Sequence, residues 1–338
     1  MMNNFIDPID FTNEQLLDLA ELSLMLKSFD KVGACPELLK GKSLGMIFEE
    51  SSTRTRISFE VAMTKLGGHA LYLRPGEIHM GTGYESLYDT AKVVSRFCDI
   101  VCARVHEHDD MLEFAKHVDI PLINAMTWTL HPCQVLSDLM TILEHKPKEK
   151  ELSDLTVAWI GDTSDYECVA NNHAQFLTRF GIKLYHVSPE GFRLTGENLE
   201  RAQNAAEAGG GQFIVTEDAE AAIRDADFVY TGTLWYHGQE DDAERRKSIF
   251  IPNFQVNEAV FRKGPDHMKF MHYLPAIRNA EVTDWVMDHD RSIIFDQAEN
   301  RMYSEMALLV SMLQTEEKPR MKAHAENVVK EFLMSRNL

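Results

Sequence analysis

Ser52-Thr53-Arg54-Thr55-Arg56 places three hydroxyls and two guanidiniums on five consecutive residues. Hydroxyls donate to oxygen anions, and a guanidinium offers them a planar fork of N–H groups. The string follows a short apolar run, Ser43–Phe48, and opens a helical pattern that stops at Gly67-Gly68. A helix start carries unpaired N–H groups and a partial positive charge, so this junction suits a phosphate. One N-capping serine with two surface arginines would be ordinary; the whole string at a strand-to-helix junction is not.

Three further groups stand in comparable places. Arg104 ends the apolar run 100–104. His131-Pro132-Cys133-Gln134 follows another run at 122–124, and its proline disfavours a helix before it. An imidazole and an amide fixed there can hydrogen-bond one small polar group. His272-Tyr273-Leu274-Pro275 and Gln297-Ala298-Glu299-Asn300-Arg301 follow the strand-like runs 269–271 and 293–295. A lone histidine or arginine in such a place is ordinarily structural. Together these groups support a phosphate site shared between two domains.

The elements that must position them read as α/β. Thr12-x-x-Gln15 is a capping box, followed by Leu16, Leu19, Leu22 and Leu26 at helical spacing. Strands are expected at Ser43–Phe48, 70–73, 100–104 and 122–124. Around 146–154 the chain turns polar and charged, and a fresh alternation follows. Strands at 156–160, 183–187, 213–215 and 228–231 alternate with helices at 171–180, 197–208 and 218–224. Such alternation implies parallel sheets flanked by helices. Two domains are expected, 1–148 and 149–319, with a terminal helix within 320–338 packing back on the first. In open parallel sheets ligands bind beyond the carboxyl ends of the strands, which is where these residues fall.

Composition narrows the classes. The chain has 338 residues with 44% apolar and 26% charged, enough for a sizeable core and inconsistent with disorder. The net charge of −19 opposes nucleic-acid binding, and an anionic substrate would need a local arginine cluster. No apolar run approaches the ~20 residues of a membrane span. No secretory signal is visible at the start, so a cytoplasmic protein without membrane partners is expected. Five cysteines, without a CxxC pair, indicate neither a disulfide framework nor a zinc site; Cys98 and Cys102 read as core thiols. Gly161-Asp162-Thr163 does not supply a G-x-G-x-x-G turn, which disfavours a dinucleotide enzyme.

The motifs Ser-Thr-Arg-Thr-Arg, His-Pro-x-Gln, His-x-Leu-Pro and Ala-Glu-Asn-Arg together resemble those of the aspartate/ornithine carbamoyltransferase family, in its order and approximate spacing. The likeness runs over about residues 10–315, and the flanking text (Ser-Phe-Glu-x-Ala-Met, Leu-Gly-Gly-His, Lys-Phe-Met-His) looks most like the putrescine carbamoyltransferase branch. The resemblance implies that Ser52, Thr53, Arg54 and Thr55 hold the phosphate of carbamoyl phosphate. It further implies that Arg104, His131, Gln134 and Arg301 grip the carbamoyl group and bridging oxygens, and that the Leu274 carbonyl takes the carbamoyl NH₂. Arg54, Arg104, His131, Gln134 and Arg301 would then be the catalytic set. A homotrimer with shared sites is also implied, His79 reaching across from a neighbouring subunit where relatives often carry Gln. Neither metal nor redox cofactor is required.

Three departures bear on the amine. Tyr273 stands where the ornithine enzymes and the putrescine branch have Cys. Gly232-Thr233-Leu234-Trp235-Tyr236-His237-Gly238 replaces Asp-x-Trp-x-Ser-Met-Gly, so the Asp that would pair with an α-ammonium is Gly232. The Asn-bearing turn for the α-carboxylate becomes 161–167, with Asp165 and Glu167 in it. Trp235, Tyr236, His237, Tyr273 and Asp165 are therefore the expected amine-site residues, Asp165 or Glu167 facing a second ammonium. A diamine such as putrescine is the expected acceptor. The alternatives are ornithine or another amine, and a non-catalytic relative that binds carbamoyl phosphate.

Overall fold

The computed structural model describes residues 4–74, 76, 78, 84–236 and 240–313. His79, His237 and the segment 320–338 lie outside the described residues. The first half runs β1 (Asn4–Phe5), α1 (Asn13–Lys31), β2 (Ser43–Phe48), α2 (Thr53–Lys65), β3 (His69–Leu73), α3 (Leu87–Phe97), β4 (Ile100–Arg104), α4 (His108–His117), β5 (Leu122–Met126) and α5 (Pro132–His145). The second half continues with β6 (Thr156–Ile160), α6 (Cys168–Phe176), β7 (Lys183–Val187), α7 (Gly196–Gly209), β8 (Gln212–Thr216), α8 (Ala219–Ile223) and β9 (Phe228–Thr231). It ends with α9 (Ala243–Phe250), α10 (Glu258–Phe261), β10 (Lys269–His272), α11 (Asp284–Met287) and α12 (Ile294–Leu313).

Each half builds a five-stranded parallel sheet, ordered β1-β5-β4-β2-β3 and β10-β9-β6-β7-β8. The central strands are covered on both faces, so Leu44, Met46, Phe48, Val101, Val157 and Trp159 are buried with no alternation. Strand order reverses between β2 and β4 in one sheet and between β6 and β9 in the other. At these switch points the loops diverge to opposite faces and leave a crevice. Both anion-site candidates after β2 and β4, and both amine-site loops after β6 and β9, emerge there.

The expected capping box forms: Gln15 N–H donates to Thr12 Oγ1 and Thr12 N–H to Gln15 Oε1. It starts α1, whose Leu16, Leu19 and Leu26 are buried while Leu22 is only half-buried. Cys98 and Cys102 are buried free thiols, as their apolar setting implies.

One expected element differs. The run 293–295 is not a strand; Ser292, just before it, makes an isolated bridge with Phe270, and the chain turns into α12 at Ile294. Three apolar residues fit a strand or a helix start equally well, and periodicity cannot separate them. The consequence is functional: Gln297, Asn300, Arg301, Ser304 and Glu305 fall on the buried face of one helix. This helix packs against α1, α2 and α5, so the second half of the chain returns to the first sheet through 294–313.

Candidate active site

Beyond β2, Ser52 caps α2 by accepting the Thr55 N–H at 3.3 Å. The N–H groups of Thr53 and Arg54 remain without helical acceptors at the positive end of the helix dipole. Glu49 and His106 tie the loops after β2 and β4 together: Glu49 N–H donates to the Arg104 carbonyl, and His106 N–H to Glu49 Oε2 at 2.8 Å. Arg54 and Arg104 are therefore set side by side at the first switch point. Arg56 is not part of the cluster. Its guanidinium lies 4.0 Å from the centre of the Tyr72 ring and pairs with Glu60.

Arg301 reaches the same place from α12. It donates to Gln134 Oε1 (2.7 Å), Thr55 Oγ1 (3.2 Å) and Glu305 Oε1 (3.1 Å). His131, at the start of α5, lies with Nε2 3.5 Å from Arg301, and its backbone N–H donates to Asn172 Oδ1 across the two halves. The structure thus brings together Thr55, Arg54, Arg104, His131, Gln134 and Arg301. Burial, then Arg301 and Arg104, holds the Arg54 guanidinium down at about 10. Burial, then the same three arginines, drives the His131 imidazolium well below the usual histidine range, so His131 is neutral at pH 7. Neither Arg54 nor Arg104 has an ion-pair partner within 4.0 Å among the described residues. Three mutually repelling cations with one paired carboxylate, Glu305, make a site for an anion.

Leu274 follows β10 with φ +58, a left-handed conformation unusual for leucine. Its N–H donates to His272 Nδ1 at 2.8 Å, while His272 Nε2 faces Glu281 Oε1 at 3.3 Å. With Nδ1 accepting, the imidazole proton is assigned to Nε2, where it meets the carboxylate. Glu281 also accepts the N–H groups of Ile277 and Leu234, so one buried acid fixes the loops after β9 and β10. The Leu274 carbonyl is thereby held in place by a chain of partners rather than by its own side chain.

At the second switch point the amine-site candidates separate into two groups. Tyr236 Oη and Tyr273 Oη stand 3.0 Å apart, and both meet Glu167 Oε2, at 2.7 and 3.0 Å. Tyr273 Oη also accepts the Thr233 N–H at 3.0 Å. Asp165 corrects the expectation: Thr195 Oγ1 and Asn198 Nδ2 occupy its carboxylate, at 2.5 and 2.9 Å, and tie it to the start of α7. Asp165 follows the turn and faces outward, whereas Glu167 caps α6 and turns inward, accepting the Val169 N–H. Trp235 is half-buried, with the Lys247 ammonium 5.3 Å from its ring centre.

Gly232 explains how Tyr273 fits. A Cβ there would lie 2.8 Å from Tyr273 Oη, 2.9 Å from Cε1 and 3.0 Å from Trp159 Cζ2. The phenol occupies the space a side chain at 232 would need. The phenols sit close enough to the anion site to act on it, Tyr273 on Arg54 and Tyr236 on Arg104.

Residues not expected from the sequence complete the frame. Asp138, fully buried on α5, faces Gln134 Nε2, Gln297 Nε2, His173 Nε2 and Tyr230 Oη at 2.9, 2.7, 2.8 and 3.1 Å. It joins α5, α6, β9 and α12 at one point. Its signal was an acid inside the apolar run 135–142. Glu305, inside a Met/Ala/Leu run, is the comparable case.

Burial pushes the Glu167 carboxyl up to about 8 and the Glu305 carboxyl up to about 7. Above the unfolded value of 4.5 and below these, the folded chain holds protons that the unfolded chain has released. Their contribution to stability is complete at low pH and is lost as pH rises through 7 to 8. The unfolding midpoint of the wild type should therefore fall relative to that of Glu167→Gln between roughly pH 5.5 and 8.5. Parallel midpoints in calorimetric scans would contradict a carboxyl held protonated.

Two α/β units, a crevice at their switch points and an arginine cluster define an α/β protein with a site for an anionic ligand. Family models place it. Residues 3–144 match the carbamoyl-P binding domain of aspartate/ornithine carbamoyltransferase, and 153–312 its Asp/Orn binding domain. The chain is 44% identical over 320 residues to a putrescine carbamoyltransferase of Mycoplasma capricolum, spanning 92% of this chain and 86% of that one. It is 42% identical over 306 residues to an ornithine carbamoyltransferase of Pyrococcus abyssi, 90% and 93% covered. The solved ornithine carbamoyltransferase of Pyrococcus furiosus superposes with a TM-score of 0.86 at 39% identity, 94% and 98% covered. The chain belongs to the aspartate/ornithine carbamoyltransferase family and is a carbamoyltransferase.

Proposed function

We propose that this enzyme transfers the carbamoyl group of carbamoyl phosphate to a diamine, putrescine or a near analogue. The observation that carries the reading is the pair of sites in one crevice: an arginine cluster short of counter-charge, beside a buried acid screened by two phenols. The donor's phosphate lies at the N-terminus of α2 on Ser52, Thr53, Arg54 and Thr55. Its carbamoyl end meets Arg104, His131, Gln134, Arg301 and the Leu274 carbonyl. A neutral amine attacks the carbamoyl carbon and forms the C–N bond. The carbonyl oxygen takes up negative charge, which neutral His131, Arg104 and Thr55 stabilise as fixed donors. The C–O bond to phosphate then breaks, and the proton shed by the amine leaves with the phosphate. Holding both reactants in one crevice supplies the proximity. Likeness to the Mycoplasma relative supports putrescine, and likeness to the Pyrococcus relatives supports ornithine as the alternative. The loss of an acid at Gly232 favours the former.

The test is a panel of amines incubated with carbamoyl phosphate, scoring phosphate release and the carbamoylated product by mass. Carbamoylputrescine as the main product supports the reading; citrulline as the main product replaces it with ornithine.

The same reading makes the enzyme a cytoplasmic homotrimer in which His79 completes a neighbour's site. Among the described residues no helix is long and apolar enough to cross a membrane. Mixing and reassembling inactive His79→Ala and Arg301→Ala chains should restore part of the activity, because some sites then draw intact residues from two chains. A fully active monomer by light scattering would contradict shared sites.

A further inference from the structure

Glu167 Oε2, Tyr236 Oη and Tyr273 Oη close a triangle with edges of 2.7, 3.0 and 3.0 Å. Both phenols donate to Glu167 Oε2, and their own oxygens stand at hydrogen-bond distance from each other. The Thr233 N–H also donates to Tyr273, and the Val169 N–H to the other carboxyl oxygen, so the ring is anchored on both sides. Asp162 on the loop after β6 adds negative charge near Glu167 and, after burial, helps to keep the carboxyl protonated. Arg246 pairs with Asp162 at 2.7 Å rather than with Glu167.

We propose that this ring is the receptor for the distal ammonium of the acceptor, Glu167 setting the requirement for a second positive charge. The inference rests on the diamine reading above. An ammonium carries three N–H donors and no acceptor, and the ring offers it an acid and phenolic oxygens as acceptors. As it docks, Glu167 releases its proton to solvent and becomes the counter-ion. The phenols turn to accept as well as donate, and no charge is left buried alone. A carboxylate on the same end of the acceptor would meet an acid and two phenolic oxygens, while Arg54 and Arg104 beyond the phenols are engaged by the donor's phosphate and carbamoyl group. Gly232 is part of the device, because only a residue without Cβ leaves Tyr273 in the ring.

Glu167→Gln keeps the shape and removes the charge. In that variant the KM for putrescine should rise by about 30-fold or more with kcat changed by less than about 3-fold. The competitive inhibition constant of n-butylamine, which has no second charge, should stay within about 2-fold. Tyr273→Phe, which removes one oxygen and keeps the ring plane, should raise the putrescine KM by about 5- to 10-fold with the same indifference to n-butylamine. Equal shifts for putrescine and n-butylamine in both variants would overturn the inference and leave a structural role only. Absence of carbamoylputrescine from the wild type would instead overturn the diamine reading itself, before either variant is compared.

Discussion

Arg54→Ala is expected to abolish detectable turnover and to weaken carbamoyl phosphate binding by at least about 2 kcal/mol, roughly 30-fold. The guanidinium lies within the reach of Arg104 and Arg301 and has no ion-pair partner among the described residues, so its interaction energy is reserved for an incoming anion. Its loss removes a charge-assisted donor, and donors of that kind contribute more than neutral ones. Arg56→Ala provides the control. That side chain lies against Tyr72 and Glu60, so binding should change by less than about 0.5 kcal/mol. Calorimetric affinity unchanged in a folded Arg54→Ala protein would remove Arg54 from the donor site.

Asp138→Ala is expected to cost about 3–5 kcal/mol of stability, the range for stripping one member from a buried charged network. It strips the acceptor from buried donors on Gln134, His173 and Tyr230 and leaves Gln297 Nε2 with Tyr230 Oη. Because those donors come from α5, α6, β9 and α12, the two halves should loosen against each other. Gln134 would also cease to hold Arg301, and turnover should fall with stability. Urea denaturation, compared at matched slope, reads the first effect. A loss below about 1 kcal/mol would mean that water replaces the carboxylate and that the hub is not structural.

The sheets were legible because their strands are short apolar runs closed by charged or turn residues, as at Ser43–Phe48 and Thr156–Ile160. The clustering of Ser52, Arg54, Arg104 and His131 was legible because these residues lie at or just beyond strand ends, where the fold class itself directs ligands. Residues 293–295 misled because a buried helix start and a buried strand share one apolar signature. Glu167 and Asp165 could not be ranked from sequence, since two acids two residues apart look alike until the start of α7 claims one of them. Likewise Gly232 and Tyr273 read as two separate departures. The structure makes them one, because the phenol fills the volume that the missing side chain vacates. Asp138 and Glu305 are not legible in the sequence because a buried acid is identified by partners distant in the chain.

The proposed enzyme recognises its acceptor through the ammonium distal to the attacking amine. The most direct test is steady-state kinetics at saturating carbamoyl phosphate, comparing kcat/KM for putrescine and for L-ornithine. The expected ratio favours putrescine by about 10²-fold or more, since about 2.7 kcal/mol of unmet head-group desolvation corresponds to that factor. Both rates should climb as pH rises above 7, because the attacking amine must be neutral. Equal values, or values favouring ornithine, would contradict a pocket built for a second ammonium.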